Sequence, residues 1–298
     1  MCGIVGYIGN QQAAPILMEG LEKLSYRGYD SAGVAVMDDW QCIHVRKAKG
    51  RLENLAGILE RTPVKGCVGI GHTRWATHGE PSDINSHPHG NKRVSVVHNG
   101  IIENYRKIKE FLISKGYTFD SETDTETVAK LLDYNYSGSP VDTIISTIGE
   151  IEGAYALGII FRDFKDKIFA VRKESPLIVG VGKGEMFIAS DVTAIIEHTK
   201  EYYLLEQGEI ADITKDGVKF YDVHKNPIEK KIQVADWDVS AAEKGGYAHF
   251  MLKEIAEQPT ALMNTIHPRI KDGMPDFTEC CLTDDKLRKY HHIYIVGC

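Results

Sequence analysis

Met1-Cys2-Gly3 puts a cysteine where loss of Met1 would make it the chain terminus. A terminal cysteine holds a thiol and an α-amine with pKa values of about 8.5 and about 8, a nucleophile and its base in one residue. That pair still needs oxyanion donors and a pocket. Val97-His98-Asn99-Gly100-Ile101 offers the Asn99 side-chain N–H and the Gly100 backbone N–H, two donors that could converge on a developing oxyanion, although Asn-Gly between apolar residues taken alone reads as a hairpin turn. His72-Thr73-Arg74-Trp75-Ala76-Thr77-His78-Gly79 runs from a strand end into a polar segment with an exposed arginine and tryptophan. It is either a solvated loop or the place where the Arg74 guanidinium forks onto a substrate carboxylate, a geometry lysine cannot copy. Ser121-Glu122-Thr123-Asp124-Thr125-Glu126 has the spacing of a capping box between Thr123 and Glu126, and Asp124 could present a carboxylate to a ligand ammonium. Residues 26–33, YRGYDSAG, form a glycine-punctuated turn that can also line a pocket.

These groups need a scaffold that gathers them, and hydrophobic periodicity supplies its outline. Residues 3–8 read as a short apolar strand pinning the start of the chain in a sheet, followed by a helix over 13–24 with Ile16, Leu17, Leu21 and Leu24 on one face. Further strands are predicted at 33–37, 42–46, 67–72 and 94–97, with helices at 103–114, 124–134 and 141–148. A second run of strands follows at 156–161, 168–171, 177–181, 186–189, 203–205 and 218–221. Elements in blocks rather than strict alternation indicate an α+β fold with antiparallel sheets, and so many strands in one unit favour two packed sheets with helices outside. After Tyr221 the chain turns polar and glycine-punctuated, which reads as a linker. A helix over 249–264 and a strand over 293–296, ending on Gly297-Cys298, read as the cut first β-α unit of an open α/β domain. The expected layout is a first domain at 2–222, a linker at 223–248 and the truncated beginning of a second domain at 249–298.

Composition narrows the function classes. A chain of 298 residues, 43% hydrophobic, can bury a large core. Its net charge of -7, with no clustered run of Lys and Arg, argues against a nucleic-acid partner. No stretch reaches the roughly 18 apolar residues of a membrane span, and the start carries no basic region or apolar signal core, so no membrane is expected and the expected address is cytoplasmic. The cysteines Cys2, Cys42, Cys67, Cys280, Cys281 and Cys298 contain no C-x-x-C pair, so neither a metal site nor a disulfide framework is expected. His87-Pro88-His89 is the densest histidine cluster, but its proline imposes an extended or turn segment without an acidic partner, and a supporting structural role is expected.

Together the segments Cys2-Gly3-Ile4-Val5-Gly6, YRGYDSAG from Tyr26, HTRWATHGEPS from His72, NSHPH from Asn85, HNGIIENY from His98 and SETDTE from Ser121 resemble, in order and spacing, the glutaminase half of the glutamine:fructose-6-phosphate amidotransferases. HFMLKEIAEQP from His249 looks like the opening helix of that family's sugar-isomerase half, so the resemblance covers the whole chain. The CGI and HNG motifs are shared with other class II amidotransferases, whereas HTRWATHGEP and EIAEQP are far more specific. The resemblance implies an N-terminal nucleophile hydrolase fold, a four-layer αββα sandwich, followed by the start of a sugar-isomerase domain. It further implies that Cys2 attacks the glutamine carboxamide, Asn99 and the Gly100 N–H hold the oxyanion, and a thioester forms without cofactor or metal. Arg74 and His78 with Thr77 would surround the substrate carboxylate, Asp124 would take the α-ammonium, and Trp75 would lie in a loop that closes over glutamine and gates ammonia. L-glutamine is the implied substrate, fructose 6-phosphate the acceptor in the full-length protein, and a homo-oligomer the implied state of the full-length family. Two other classes remain open: a class II amidotransferase with a different acceptor, and a non-catalytic glutamine-binding module.

Overall fold

The computed structural model describes residues 2–235, 246–247, 249–277, 282–292 and 294. The chain divides into two compact units, Met1–Ala242 and Glu243–Cys298.

The first unit is built on two sheets. In spatial order the eight-stranded sheet holds β15 (Gln233–Val234), β11 (Glu201–Leu204), β9 (Ile178–Val181), β10 (Met186–Ala189), β1 (Gly3–Ile8), β4 (Val68–Arg74), β2 (Ser31–Met37) and β3 (Ile43–Lys49). The seven-stranded sheet runs β14 (Pro227–Ile228), β13 (Gly217–Tyr221), β12 (Ile210–Thr214), β8 (Ile168–Lys173), β7 (Gly153–Phe161), β6 (Val94–Ile102) and β5 (His89–Gly90). Neighbouring strands pair antiparallel in both. Alternation along each strand then sorts side chains into layers. Ile4 and Ile8 of β1 join Ile70, Val97, Ala156, Ile160 and Ile188 in the core between the sheets. Val5 and Tyr7 instead face the helix α1 (Ala13–Lys23), whose Leu17 and Leu21 cover them beside Leu55 of α2 (Leu52–Arg61). On the far side Leu157, Ile159 and Phe161 of β7 pack under α3 (Tyr105–Ser114), α4 (Asp124–Tyr134) and α5 (Pro140–Glu150). The result is the αββα sandwich anticipated from the sequence. Central strands covered on both faces read as unbroken apolar runs, which is why their periodicity was faint.

Several elements differ from the sequence reading. The strand predicted at 94–97 runs on to Ile102, so Asn99 and Gly100 lie inside β6, paired with Ala156 and Tyr155, and form no hairpin turn. Helix α2 and strand β12 were not predicted, although Leu52, Leu55, Ile58 and Leu59 of α2 recur at helical spacing. Within 223–248, the stretch read as linker, β14 pairs with β13 and β15 with β11, so the chain stays tied to the sheets as far as Val234.

In the second unit, the predicted helix over 249–264 is α6 (Phe250–Ile266), which continues through Pro259. A hairpin of β16 (Ile270–Lys271) and β17 (Met274–Pro275) follows, its turn residues Asp272 and Gly273 at φ 53° and 78°, then the single turn α7 (Asp284–Leu287). Of the strand predicted at 293–296, only Tyr294 is among the described residues, and Gly297 and Cys298 lie outside them. Among the described residues no helix is long and apolar enough to cross a membrane.

The middle of the sandwich is spaced by one isoleucine. Ile188 on β10 fills the room left by Gly6 of its own sheet and Gly158 of the facing one, where an added Cβ would come within 2.4 and 2.6 Å of it. Ile188→Ala should therefore lower unfolding free energy by about 2–5 kcal/mol, read from chemical denaturation, because a site flanked by two glycines has little with which to refill the cavity. A loss under about 1 kcal/mol would show that the sheets close over the gap.

Candidate active site

Register sets the first part of the site. β1 pairs with β4 so that Gly3 faces Thr73, which brings Cys2 against the chain just beyond β4. The Trp75 backbone N–H points at Cys2 Sγ, 3.2 Å away. Burial pushes the Cys2 thiol up from its ordinary pKa, while the Trp75 N–H and the Arg74 charge pull the other way. Ile4 N–H donates to Ser190 Oγ at 3.0 Å, so the strand is anchored directly behind the cysteine.

The second part comes from the facing sheet. By strand alternation Asn99 continues the inward row of Val97, as His72 and Arg74 continue that of Ile70 and Cys2 that of Ile4. Asn99 Nδ2 donates to the Cys2 carbonyl at 3.0 Å, a bond between the sheets that holds the carboxamide beside the cysteine. Gly100 lies at φ +127°, and a Cβ there would meet the Ala154 carbonyl oxygen at 2.0 Å, so the position accepts only glycine. Gly100 lines the same narrow cleft as Cys2, Arg74, Trp75, Thr77 and Asp124.

Arg74 is 3% exposed, in contrast to the exposed arginine expected from the sequence. Its Nη2 donates to the His78 and Gly79 carbonyls, so half the guanidinium is held by the backbone of its own loop. Nη1 is buried with no hydrogen-bond partner among the described residues. Thr77 lines the cleft, whereas His78 contributes its carbonyl and packs its ring edge-on against Tyr105, 5.3 Å between centroids. The expected cap of α4 is present, Thr123 Oγ1 accepting from Glu126 N at 3.3 Å. The reciprocal half is displaced: the Glu126 carboxylate accepts from Ser121 N at 2.7 Å and Asp120 N at 3.0 Å. The cap places Asp124 in the first turn, where the helix dipole favours a carboxylate. Asp124 Oδ2 accepts from Ile102 N at 2.9 Å, bolting α4 to the end of the strand that carries Asn99 and Gly100.

Residues 28–30 brace the loop after Arg74. Asp30 N donates to the Arg74 carbonyl at 3.1 Å, and Asp30 Oδ2 accepts from Ala76 N at 2.8 Å. Gly28 lies so close that a Cβ would meet the Arg74 carbonyl carbon at 2.8 Å. Trp75 is 47% exposed, its ring edge-on to Tyr29. The sequence reading missed His87, His98, Thr123 and Thr125 as cleft-lining residues, and His72 behind Asn99. The strand alternation that puts Arg74 inward also puts His72 there. Desolvation drives the pKa of His72 down to about 3 and lowers those of His87, His89 and His98, so all are neutral imidazoles. Among the described residues no group of His, Cys, Asp and Glu side chains is arranged to hold a metal ion.

With this geometry in hand, the relatives are informative. Residues 72–197 match the family model described as a glutamine amidotransferase domain. The whole chain is 54% identical over 301 residues to a glutamine–fructose-6-phosphate aminotransferase (isomerizing) of Clostridium acetobutylicum, and 45% identical over 302 residues to one of Aquifex aeolicus. It covers 49% of each, so the chain spans about half the length of the curated relatives it matches. Among solved structures it resembles a glutamine phosphoribosylpyrophosphate amidotransferase from B. subtilis, complexed with ADP and GMP, with a TM-score of 0.66 and 27% identity, over 76% of this chain and 50% of that one. A glutamine aminotransferase class-II domain protein from Silicibacter pomeroyi shares the fold at 15% identity and a TM-score of 0.53, over 74% of this chain and 99% of that one.

The buried imidazoles give the fold a pH signature. Unfolded, these rings bind protons below about pH 6.5; in the fold burial lowers the pKa of each, to about 3 for His72. Their contribution to stability is thus complete above about pH 6.5 and is lost as pH falls toward the folded values. Denaturant stability should drop between about pH 6.5 and 5, where most carboxylates are still charged, and His72→Gln should make that slope shallower by about one proton. A flat profile over this window would mean that the rings protonate in the folded state.

Proposed function

Since the chain carries a glutamine amidotransferase domain homologous to that of the glutamine–fructose-6-phosphate aminotransferases, we propose that it cuts L-glutamine into glutamate and ammonia with Cys2 as nucleophile. The observation that carries the reading is a cleft lined by Cys2 and by a buried guanidinium whose Nη1 lacks a partner among the described residues, with the Asn99 amide bonded across the sheets to the Cys2 carbonyl. A substrate carboxylate would satisfy Nη1 in the forked geometry that arginine provides. Asp124, which lines the same cleft, would take the α-ammonium, and Thr77 with the His78 segment would close around the carboxylate. The separation of this clamp from Cys2 would select glutamine over a shorter amide, whose polar ends would leave buried groups unmet.

The proposed chemistry requires removal of Met1, which frees the Cys2 α-amine. The amine takes the thiol proton, directly or through one water, and the sulfur adds to the carboxamide carbon. Negative charge develops on the amide oxygen, within reach of the second Asn99 N–H and of Gly100. The Trp75 N–H at Sγ favours the thiolate before attack and offsets part of the burial that disfavours it. When the carbon–nitrogen bond breaks, the protonated amine hands its proton to the leaving ammonia. Water, deprotonated by the same amine, then hydrolyses the thioester and releases glutamate. In a protein of the relatives' full length we propose that the ammonia passes to fructose 6-phosphate, with the exposed Trp75 loop as its gate.

Every group assigned to amide cleavage lies between Cys2 and Asp124, so glutamate should form from glutamine without a sugar phosphate. Cys2→Ala should abolish glutamate release, in a dehydrogenase-coupled assay, while leaving thermal unfolding nearly unchanged. Equal turnover by wild type and Cys2→Ala would remove the proposal. Oxyanion donors and clamp should fail differently. Asn99→Ala should lower kcat by roughly 10²- to 10³-fold with KM little changed, whereas Arg74→Lys should chiefly raise KM. If Asn99→Ala altered KM alone, Asn99 would be a binding residue and not an oxyanion donor.

A further inference from the structure

We infer that His72 is a positioning residue for amide cleavage: its ring N–H holds the Asn99 carboxamide with the NH2 group turned toward Cys2. The inference rests on the glutaminase reading for its effect on rate, but the geometry stands by itself.

A carboxamide can present oxygen or NH2 in nearly the same space, so its orientation is decided by its neighbours. Two backbone carbonyls, which only accept, decide it here. The Cys2 carbonyl lies 3.0 Å from Asn99 Nδ2 and selects the NH2 group on that side. At the other end, Asn99 Oδ1 lies 3.0 Å from His72 Nε2. That same Nε2 lies 2.9 Å from the His98 carbonyl oxygen. Nε2 must therefore carry the hydrogen, shared between a carbonyl and Oδ1. A neutral imidazole has one ring hydrogen, which leaves Nδ1 bare, and Nδ1 is indeed buried without a hydrogen-bond partner among the described residues. His87 packs against the ring, 4.2 Å between centroids, and keeps it in place.

A flipped Asn99 would set NH2 against the His72 N–H and oxygen against the Cys2 carbonyl, two contacts of like polarity. With the ring in place only the productive orientation survives, and one Nδ2 hydrogen remains for the oxyanion after the other is given to Cys2. An apolar residue at 72 removes half of that selection. Oδ1 is then buried without its donor, and the amide is free to turn away.

The test compares His72→Leu, which removes the donor, with His72→Gln, whose amide nitrogen reaches the place of Nε2 and brings two hydrogens for two acceptors. His72→Leu should lower kcat roughly tenfold to hundredfold, less than the roughly 10²- to 10³-fold loss from deleting the Asn99 amide, with KM within about twofold. His72→Gln should recover most of the loss. In an Asn99→Ala background, His72→Leu should cost nothing more, because the group it positions is gone. Should His72→Leu fail to fold, His72→Asn replaces it: its nitrogen reaches only the Nδ1 place, and its kcat should fall where that of His72→Gln does not. A reading independent of turnover comes from the Asn99 side-chain NH2 resonances, assigned by their loss in Asn99→Ala. They should exchange slowly with solvent in wild type and His72→Gln and quickly in His72→Leu or His72→Asn. Unchanged kcat in the donor-deleting variants, additive losses with Asn99→Ala, or unaltered exchange would each overturn the inference. Absence of glutamate release by wild type would instead sink the glutaminase reading and leave the exchange arm to decide this one.

Discussion

The antiparallel register of β1 against β4 is the constraint on which the site depends. With Gly3 opposite Thr73, the inward row of one strand is Cys2, Ile4 and Ile8, and that of the other is Ile70, His72 and Arg74. A slip of β1 by one residue would exchange its two rows, turning Cys2 away from the cleft and Val5 and Tyr7 into the core between the sheets. The apolar members of each row make such a slip costly, because Ile4, Ile8 and Ile70 belong to a core shared with the facing sheet, while Val5 and Tyr7 are matched to Leu17 and Leu21 of α1. Hydrophobic burial deep in the sandwich thus fixes where polar groups stand at its rim. The same logic holds on β6, where Val97 and Asn99 look inward and Val94, Val96 and His98 look toward the helices, His98 meeting Thr125 of α4 at 2.9 Å.

Polarity at the rim is made tolerable in part by fixed partners. His72 serves a carbonyl and an amide, Asn99 a carbonyl and a ring, and Asp124 a strand N–H. The rings escape the cost of burying charge by staying neutral. Arg74 cannot escape in that way. Two loop carbonyls meet Nη2, but Nη1 stands buried without a partner among the described residues, a cost that the proposed substrate carboxylate would relieve.

What could be read from residues alone follows from how local each determinant is. The Thr123 cap and the ends of α4 were legible, since capping depends on a few adjacent side chains. The two-sheet sandwich was legible from the blocks of strands, though not the order of strands within it. Asn99-Gly100 was misread as a turn because the dipeptide favours positive φ; here Gly100 spends that freedom inside a strand, which only the approach of the Ala154 backbone explains. Arg74 was expected at the surface because charge is usually solvated, and its burial comes from partners several residues on in the chain. His72 gave only a partial signal, since alternation with Ile70 turns it inward without showing what it meets. Its role depends on a strand of the other sheet, and no spacing along one strand encodes a contact across two.

The division of parts between strands and loop separates the proposed chemical step from binding. His72 sits in a strand with a backbone ladder on each side, Asn99 and Gly100 in one paired with β7, and Cys2 just before the first pair of β1. The clamp is different, because the Arg74 guanidinium takes its orientation from the carbonyls of His78 and Gly79, and that loop is tied down through Asp30 and Ala76. The Trp75 N–H belongs to the same loop and also touches the sulfur. A shift of this loop would therefore move the Arg74 guanidinium and the thiol's hydrogen bond together while leaving the amide of Asn99 where it is. In the proposed reaction, occupation of the clamp and activation of the thiol are coupled through one short segment, and the oxyanion donors stand ready regardless of it.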